Sequence, residues 1–260
     1  RRERFRELLE STEIVRCPFV HDALTAKVAE EAGFELIGIT GHGVSVSSVG
    51  LPDAGYVTMP EAVTATRNIA QAVDAPVFAD VDTGYGNAIN ARRTAREVIQ
   101  NTEAAGFYIE DQTDPKRCGH MAGKRVLPRE EAVGKIRAVC DLRDDLDEAF
   151  VVIARTDALG AAGGGLDEAI ARGNAFAAAG ADAVFVDAPT SEAEMERIGA
   201  EVDAPLFHNT GGVNRSVSPR LSMETLQEYG YSIAGFHCTL TPTIDAVYDY
   251  MRGVIDDGID

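Results

Sequence analysis

Short apolar runs alternate with longer segments of helical periodicity along the whole chain. The apolar runs are rich in Val, Ile and Phe and occupy residues 18–21, 35–40, 76–81, 106–110, 150–155, 183–187, 205–209 and 232–237. The helical segments are 23–32, 60–73, 89–105, 129–142, 166–179, 191–201, 222–229 and 242–254. Continuous apolar strands separated by helices are typical of a parallel sheet covered by helices. Eight such units predict an α/β fold of the (β/α)8 TIM-type barrel class.

Internal repetition favours the barrel. Ala-Gly-Phe at 32–34 and 105–107, and Ala-Gly-Ala at 179–181, each fall where a predicted helix gives way to a strand. Glycine suits a helix C-terminus because it accepts a positive φ angle at little cost. A doubly wound sheet is the alternative, but no Gly-x-Gly-x-x-Gly follows the first strand. No linker or low-complexity segment divides the chain, so residues 1–260 are predicted to form a single catalytic barrel domain.

The charge balance argues against several classes of partner. The formal net charge is −18, which disfavours nucleic acids and anionic membranes because both are polyanions. No apolar run in the sequence approaches the roughly 18 residues that a membrane-spanning helix needs. The four cysteines lack a Cys-x-x-Cys spacing, so they indicate neither a zinc site nor a disulfide framework. A reducing cytoplasm is therefore the expected location.

The acidic surplus also suggests adaptation to salt. Only four of the 24 basic residues are lysines, and small residues are abundant. At an ionic strength of about 1 M the Debye length falls to about 3 Å, so the self-repulsion of such a surface is screened. The sequence predicts a halophilic protein, with an ordinary acidic cytosolic enzyme as the alternative.

Carboxylates cluster where the third and fourth predicted strands end. Asp80 and Asp82 lie in Ala-Asp-Val-Asp-Thr-Gly-Tyr-Gly, and residues two apart on a strand point the same way. Two such carboxylates repel each other unless a cation joins them, and oxygen ligands of this kind suit Mg²⁺ or Mn²⁺. Because Mg²⁺ keeps several waters, Asp53, Glu110 and Asp111 are predicted to act through water. The alternative is a helix-capping Asp beside a solvated one.

A polar loop contains the candidate for a reactive thiol. The motif reads Lys116-Arg117-Cys118-Gly119-His120. A cationic setting lowers a thiol pKa, so Cys118 is predicted to be reactive rather than an inert buried cysteine. The motif lies in the long strand-to-helix connection at residues 111–128, and a second long connection spans residues 41–59. In a barrel, such loops line the mouth where the chemistry takes place.

Polar side chains also follow the later strands. Arg155 ends the fifth predicted strand and offers a bidentate clamp for a carboxylate or phosphate. A salt bridge from Arg155 to Asp157 or Asp187 is the alternative. Asn209 and Thr210 close the seventh strand and either bind a ligand carboxylate or form a turn. All five histidines fall at or just after predicted strand ends, and apart from His120 each is interpreted as structural.

Taken in order, these residues resemble the isocitrate lyase and phosphoenolpyruvate mutase superfamily over about residues 17–240. The motifs that carry the resemblance are His21-Asp22-Ala23, Thr40-Gly41, Gly50-Leu51-Pro52-Asp53, Asp80-Val81-Asp82-Thr83-Gly84-Tyr85-Gly86, Ile109-Glu110-Asp111-Gln112, Pro115-Lys116-Arg117-Cys118-Gly119-His120 and Ala154-Arg155-Thr156-Asp157-Ala158. The Lys-Arg-Cys-Gly-His element is typical of the lyase branch, and the phosphonomutase branch usually lacks it.

The resemblance implies an Mg²⁺-dependent (or Mn²⁺-dependent) retro-aldol cleavage of a 2-hydroxy polycarboxylate. The implied metal residues are Asp80 and Asp82, with Asp53 and Glu110 in the water shell. The implied catalytic residues are Cys118 as general acid, Lys116 and His120. The implied substrate-binding residues are Thr40, Gly41, His42, Gly119, Arg155, Asp187, Asn209 and Thr210. Closure of the loop around residues 112–124 would exclude water and deliver the thiol.

The implied substrate is isocitrate or 2-methylisocitrate, which would give glyoxylate or pyruvate together with succinate. An oxaloacetate hydrolase or decarboxylase, a 2,3-dimethylmalate lyase, a phosphonomutase and a silent scaffold are the alternatives. The chain departs from the lyases at Asp187, where Glu is common, and at residues 239–246, where 2-methylisocitrate lyases place an Arg. Arg215 or Arg220 is the candidate replacement. The resemblance also implies a homo-tetramer built on dimers that exchange a C-terminal helix.

Overall fold

Eight parallel strands close into a barrel in chain order. The structure is a computed structural model that describes residues 1–212 and 217–258. The strands are β1 Val15–Val20, β2 Ile37–Ile39, β3 Val77–Asp80, β4 Gly106–Glu110, β5 Val151–Thr156, β6 Ala183–Val186, β7 Leu206–Gly212 and β8 Tyr231–His237. β1 pairs with both β2 and β8, which completes the ring. The predicted (β/α)8 fold is confirmed.

A helix follows each strand, one more precedes the first strand, and every helix except the last buries residues in the outer layer. The helices are α1 Arg2–Leu9, α2 Ala23–Glu31, α3 Gly41–Val44, α4 Met59–Ala70, α5 Ala88–Asn101, α6 Arg129–Leu146, α7 Leu166–Ala178, α8 Glu192–Glu201, α9 Met223–Glu228 and α10 Leu240–Asp257. A π-helical turn, Ser45–Val49, continues α3, and a 3-10 turn, Ala158–Gly160, follows β5. Side-chain caps set several helix starts, as where Asp22 accepts a hydrogen bond from the backbone N–H of Thr25.

Aromatic rings fill the barrel interior. Phe19, Phe78, Phe185 and Phe207 come from four strands and meet at centroid distances of 4.7 to 6.0 Å, mostly edge to face. Phe5 of α1 stacks on Phe78 and extends the cluster toward the amino-terminal end of the barrel. Edge-to-face pairs add about 0.5–1.5 kcal/mol beyond burial of area alone. This packed floor leaves the carboxyl-end mouth as the place for a polar site.

Helix α10 differs from the other long helices because none of its residues is buried. Its exposed apolar side chains include Ile244, Val247, Tyr248, Met251 and Ile255, which are 46 to 72% exposed. These positions recur three and four residues apart and therefore form one stripe along the helix. Within the described residues, no helix has both the length and the apolar character that crossing a membrane requires.

Candidate active site

Charged side chains from neighbouring strands meet at the carboxyl-end mouth. Asp80 ends β3, Glu110 ends β4, and Arg155 lies one residue before the end of β5. Asp187 follows β6, and Asn209 lies within β7. Each is buried or half-buried. The closed barrel thus brings together residues that are more than 120 positions apart in the chain, as the sequence predicted for strand ends.

Three donors fix the carboxylate of Asp80. The backbone N–H of Gly41 lies 2.8 Å from Oδ2, and that of Asp82 lies 2.9 Å from Oδ1. The Tyr108 hydroxyl also donates to Oδ2. Burial, followed by the negative charge of Asp80, raises the pKa of Tyr108 well above its usual value, so the phenol stays protonated. A Cβ at position 41 would collide with the Asp80 carboxylate, which explains the glycine there.

Lys116 reaches from the 111–128 loop into the carboxylate cluster. Its Nζ lies 2.5 Å from Asp53 Oδ1 and 2.5 Å from Asp82 Oδ1. Burial alone would lower the pKa of Lys116, but Asp82, Glu110 and Asp53 outweigh it and raise that pKa well above the usual range. Burial raises the pKa of Asp82 to about 6, with Lys116 opposing and Asp80 and Asp53 adding to the rise. The ammonium therefore neutralises part of a strongly negative site.

The carboxylate cluster fits a hard divalent cation. Glu110 Oε1 is buried without a hydrogen-bond partner, and the Asp82 oxygen that faces Lys116 has no other polar contact in the described part of the chain. Among the residues that the structure describes, no three His, Cys, Asp or Glu lie in the geometry of a shared ion. Mg²⁺ uses one or two direct carboxylates and keeps several waters, so this donor set suits it. The assignment of Asp80, Asp82, Asp53 and Glu110 to a metal stays a prediction.

Arg155 is the centre of a buried ion network. Its guanidinium contacts Asp157 at 2.9 and 3.0 Å, Asp187 at 3.0 Å and Glu110 at 3.3 Å. Lys124 of the 111–128 loop donates to Asp157 at 2.9 Å. Although burial raises the pKa of Asp157, the two cations outweigh it and hold that pKa below its usual value. The salt-bridge alternative for Arg155 is thus present in the structure, and its role as a substrate clamp stays a prediction.

The 111–128 loop lies folded over the mouth. An isolated antiparallel bridge joins Gln112 to Val126, and the Gln112 side chain bonds to both the N–H and the C=O of Arg117. At the tip, a Cβ on Gly119 would collide with Asp187 and Arg155. The backbone of the tip therefore rests directly on the Arg155–Asp187 pair. Closure of this loop on the substrate, which the resemblance implies, stays a prediction.

Cys118 corrects one prediction. Burial raises the pKa of the Cys118 thiol above its usual value, and Asp53 and Asp187 raise it further, against the His120 backbone N–H and Arg155. The expected lowering was wrong because the neighbouring cations are engaged elsewhere. Lys116 pairs with two aspartates, and the Arg117 guanidinium donates to the backbone carbonyl of Ala122. At neutral pH the thiol is therefore protonated, as a general acid must be.

The remaining predicted binding residues differ in how they are used. Thr40 accepts a hydrogen bond from the N–H of Gly43, and the Thr210 hydroxyl donates to the Gly235 carbonyl at 2.7 Å. His120 Nε2 lies 3.4 Å from Asn209 Nδ2. His42 is exposed on α3. Arg220 is also exposed, and Arg215 lies outside the described residues.

Sequence reasoning overlooked three residues of the mouth. Lys124 and Asp157 were noted only as neighbours of other candidates, yet they form a buried ion pair. His237 was interpreted as structural, but its ring stacks on Phe19 at 4.5 Å at the end of β8 and so lies over the barrel interior. Its position at a strand carboxyl end was the available signal.

Comparison with known proteins agrees with this geometry. The phosphoenolpyruvate phosphomutase family matches residues 5–241. The chain is 41% identical to 2,3-dimethylmalate lyase of Eubacterium barkeri over 253 residues, 97% of this chain and 83% of that protein. Oxaloacetate acetylhydrolase bound to 3,3-difluorooxalacetate has a TM-score of 0.93 and 34% identity, over 99% of this chain and 86% of that one.

A third similarity concerns the metal. Phosphonopyruvate hydrolase in complex with oxalate and Mg²⁺ has a TM-score of 0.86 and 30% identity, over 99% of this chain and 87% of that one. The family match covers nearly the whole barrel, including the carboxylate cluster and the cysteine loop. The chain is therefore an enzyme of the phosphoenolpyruvate phosphomutase family, within the PEP mutase/isocitrate lyase superfamily.

Proposed function

We propose that this enzyme is an Mg²⁺-dependent carbon–carbon lyase that cleaves a 2-hydroxy polycarboxylate into a 2-oxo acid and a second carboxylic acid. The observation that carries the proposal is the position of the Cys118 loop, whose tip at Gly119 lies against Arg155 and Asp187 beside a buried carboxylate cluster. Burial raises the pKa of the Cys118 thiol, which favours its protonated form. A retro-aldol cleavage needs such a proton donor on one side of the broken bond and charge stabilisation on the other.

Asp80 and Asp82 are the residues that would hold Mg²⁺, with Asp53 and Glu110 acting through water. When bound, the ion supplies Lewis-acid stabilisation of negative charge on the hydroxy acid and its 2-oxo acid product. The similarity to a phosphonopyruvate hydrolase that binds oxalate and Mg²⁺ supports this choice of metal. The Gly41 N–H and the Tyr108 hydroxyl orient the Asp80 carboxylate, so that carboxylate is preorganised.

The protein's own groups divide the remaining work. Arg155 offers its guanidinium to the hydroxy-acid end, near Thr40, Gly41 and His42. Cys118 gives its proton to the carbon released by cleavage, where an aci-carboxylate has formed. Gly119, His120, Asn209 and Thr210 would bind the carboxylates of that second fragment, with Asp187 holding Arg155 in place. The folded 111–128 loop excludes water from the reacting centre, and Lys116 ties it to the carboxylate cluster.

Candidate substrates differ in the number of carboxylates. Isocitrate and 2-methylisocitrate are tricarboxylates and would give glyoxylate or pyruvate with succinate. The identity to a 2,3-dimethylmalate lyase supports a dicarboxylate that would give pyruvate and propionate. A second candidate function is hydrolysis or decarboxylation of oxaloacetate, supported by the structural similarity to oxaloacetate acetylhydrolase. A phosphonomutase is less well supported, because it would leave Cys118 without a role.

A product assay tests the proposal. The enzyme is incubated with Mg²⁺ and either isocitrate, 2-methylisocitrate, 2,3-dimethylmalate or oxaloacetate, and any 2-oxo acid formed is trapped with phenylhydrazine. Oxalate and CO2 are measured separately. A 2-oxo acid formed from one of the first three, and lost in Cys118→Ser, is the expected result. Oxalate or CO2 from oxaloacetate alone would favour the second candidate, and no product from any of the four would refute both.

We also propose that the enzyme acts in the cytoplasm as a homo-tetramer on a small di- or tricarboxylate. The exposed apolar stripe of α10 supports self-association, because a stripe of this kind is normally covered. The net charge of −18 supports the expectation that neither nucleic acid nor an anionic membrane is a partner.

A further inference from the structure

His237 lies across the barrel from the carboxylate cluster. It ends β8, and in a closed ring of eight strands β8 is opposite β4, which carries Glu110. A substrate whose hydroxy-acid end is held near Asp80 and Glu110 therefore extends toward β8. The side chain at the end of β8, His237, therefore contacts the distal end of such a substrate. Position in the barrel thus gives His237 access to the part of the substrate that distinguishes one polycarboxylate from another.

The His237 ring is held in a fixed orientation. It stacks on Phe19 with a centroid distance of 4.5 Å and an interplanar angle of 12°. Phe19 is itself held edge to face by Phe78 and Phe207 in the barrel interior. Within the described residues, the ring nitrogens of His237 make no hydrogen bond, and neither nitrogen is fully enclosed. The imidazole is therefore held rigidly, and its polar edge is accessible from the barrel mouth.

The His237 imidazole carries no charge at neutral pH. Burial lowers the pKa of His237 to about 3, and the Arg155 guanidinium acts in the same direction, against Asp53. The other cations of the described mouth are already balanced. Lys116 pairs with Asp53 and Asp82, and Arg155 with Glu110, Asp157 and Asp187. Lys124 pairs with Asp157.

We propose that His237 is a specificity-determining residue that makes the distal subsite uncharged, so that the enzyme prefers dicarboxylates to tricarboxylates. A third carboxylate placed against the His237 ring would lose its hydration, while Lys116, Lys124 and Arg155 are already paired with carboxylates of the protein, so its burial there is costly. A methyl group or hydrogen at the same place has no charge to desolvate and packs against the His237 ring. The inference rests on the proposed function and selects among its candidate substrates.

The test compares kcat/KM for 2,3-dimethylmalate with kcat/KM for 2-methylisocitrate. For the wild-type enzyme we expect a ratio above about 10, because rejection of an unpaired buried charge exceeds one factor of ten. His237→Arg adds a cation and should lower that ratio at least tenfold, whereas His237→Phe should leave the preference for the dicarboxylate. His208→Phe is the matched control, since His208 is also buried on an aromatic ring, Tyr231, but faces the helical layer.

Binding measurements separate this inference from the proposed function. Calorimetry with succinate and tricarballylate needs no turnover, so it remains informative if no substrate is cleaved. We expect wild-type enzyme to bind succinate at least tenfold more tightly and His237→Arg to reduce that difference. Circular dichroism and thermal unfolding establish that each variant folds. A wild-type preference for the tricarboxylates in both assays, or an unchanged preference in His237→Arg, would overturn the role of His237.

Discussion

Cys118 illustrates how the environment of one atom decides a chemical role. The thiol lies near several cations in sequence, but in the structure burial raises its pKa and the carboxylates of Asp53 and Asp187 raise it further, so the thiol stays protonated. A protonated thiol can donate a proton only while the pH stays below its raised pKa. Activity that depends on it should therefore persist through neutral pH and fall as the pH rises past that value.

Replacement of Cys118 by Ser should abolish most of the turnover. A Ser hydroxyl keeps the shape but is a far weaker acid, and general acid catalysis contributes typically about 10²–10⁴-fold. We expect kcat to fall by about that factor, while oxalate binding measured by calorimetry stays within about threefold of wild type. Cys140→Ser, at a buried cysteine in α6 outside the mouth, is the control for nonspecific effects. Near-normal turnover in Cys118→Ser would remove the thiol from the mechanism.

Lys116 should stabilise the fold and at the same time weaken the binding of Mg²⁺. Lys116→Met leaves Asp53 and Asp82 buried without their ammonium partner, and breaking a buried pair costs about 3–5 kcal/mol. Because the ammonium no longer contacts the Asp82 oxygen, Mg²⁺ should stabilise the variant more than the wild type. Urea unfolding with and without Mg²⁺ measures both effects. Lys27→Met, at an exposed lysine of α2, is the control, and equal losses in the two variants would contradict the prediction.

The sequence contains the strand-end residues of the site but not their pairing. Asp80, Glu110 and Arg155 were identified because parallel strands bring their carboxyl ends to one edge. The pairs Lys116–Asp53 and Lys124–Asp157 join a loop to distant elements, and their geometry arises only when the barrel closes. The direction of the pKa shift of Cys118 depends on those same pairs, so it could not be predicted from the sequence pattern.

The individual helices and strands also include some that the sequence pattern predicts and some that it does not. All eight strands were predicted, because continuous apolar runs between helices are a strong pattern. β1 begins at Val15, three residues before the predicted start at Pro18. The prediction started at the proline because proline is rare inside central strands. Helix α1 was missed because it is short and polar, with only Phe5, Leu8 and Leu9 buried. The π-helical turn Ser45–Val49 has no sequence pattern that distinguishes it from a loop.

The closed position of the 111–128 loop depends on a glycine at its tip. In Gly119→Ala the new methyl group would collide with Asp187 and Arg155, so the loop should remain displaced from the mouth. We expect kcat/KM to fall at least about 100-fold, because misplacement of a catalytic group by about 1 Å can cost that much. The loop should also become more sensitive to limited proteolysis.

A second glycine provides the control for the loop. Gly134 lies in α6 with open space around the position of its missing Cβ. Gly134→Ala should leave activity unchanged and raise the free energy of unfolding by about 0.5–1 kcal/mol, since Ala is the better helix former. If Gly119→Ala behaves like Gly134→Ala in activity and proteolysis, then contact of the loop tip with Arg155 is not needed for catalysis.

At the scale of the whole molecule, α10 should mediate self-association. A second copy of the chain can cover the stripe of Ile244, Val247, Tyr248, Met251 and Ile255, which a single chain leaves exposed. We expect light scattering to give the mass of a tetramer for the wild type and a smaller species for Val247→Asp/Met251→Asp. The control is Asp249→Asn, at an exposed polar position of the same helix. A monomeric wild type would contradict the prediction.

The net charge of −18 should make stability depend on salt. Raising KCl from about 0.1 M to about 1 M shortens the Debye length from about 10 Å to about 3 Å and so weakens repulsion among surface carboxylates. We therefore expect the thermal midpoint to rise with KCl. The double variant Asp141→Lys/Glu196→Lys, at exposed positions, adds four positive charge units. Its thermal midpoint should rise less with KCl than that of the wild type. A midpoint that stays flat or falls in KCl would identify an ordinary acidic enzyme, because its surface charge would then not limit its stability.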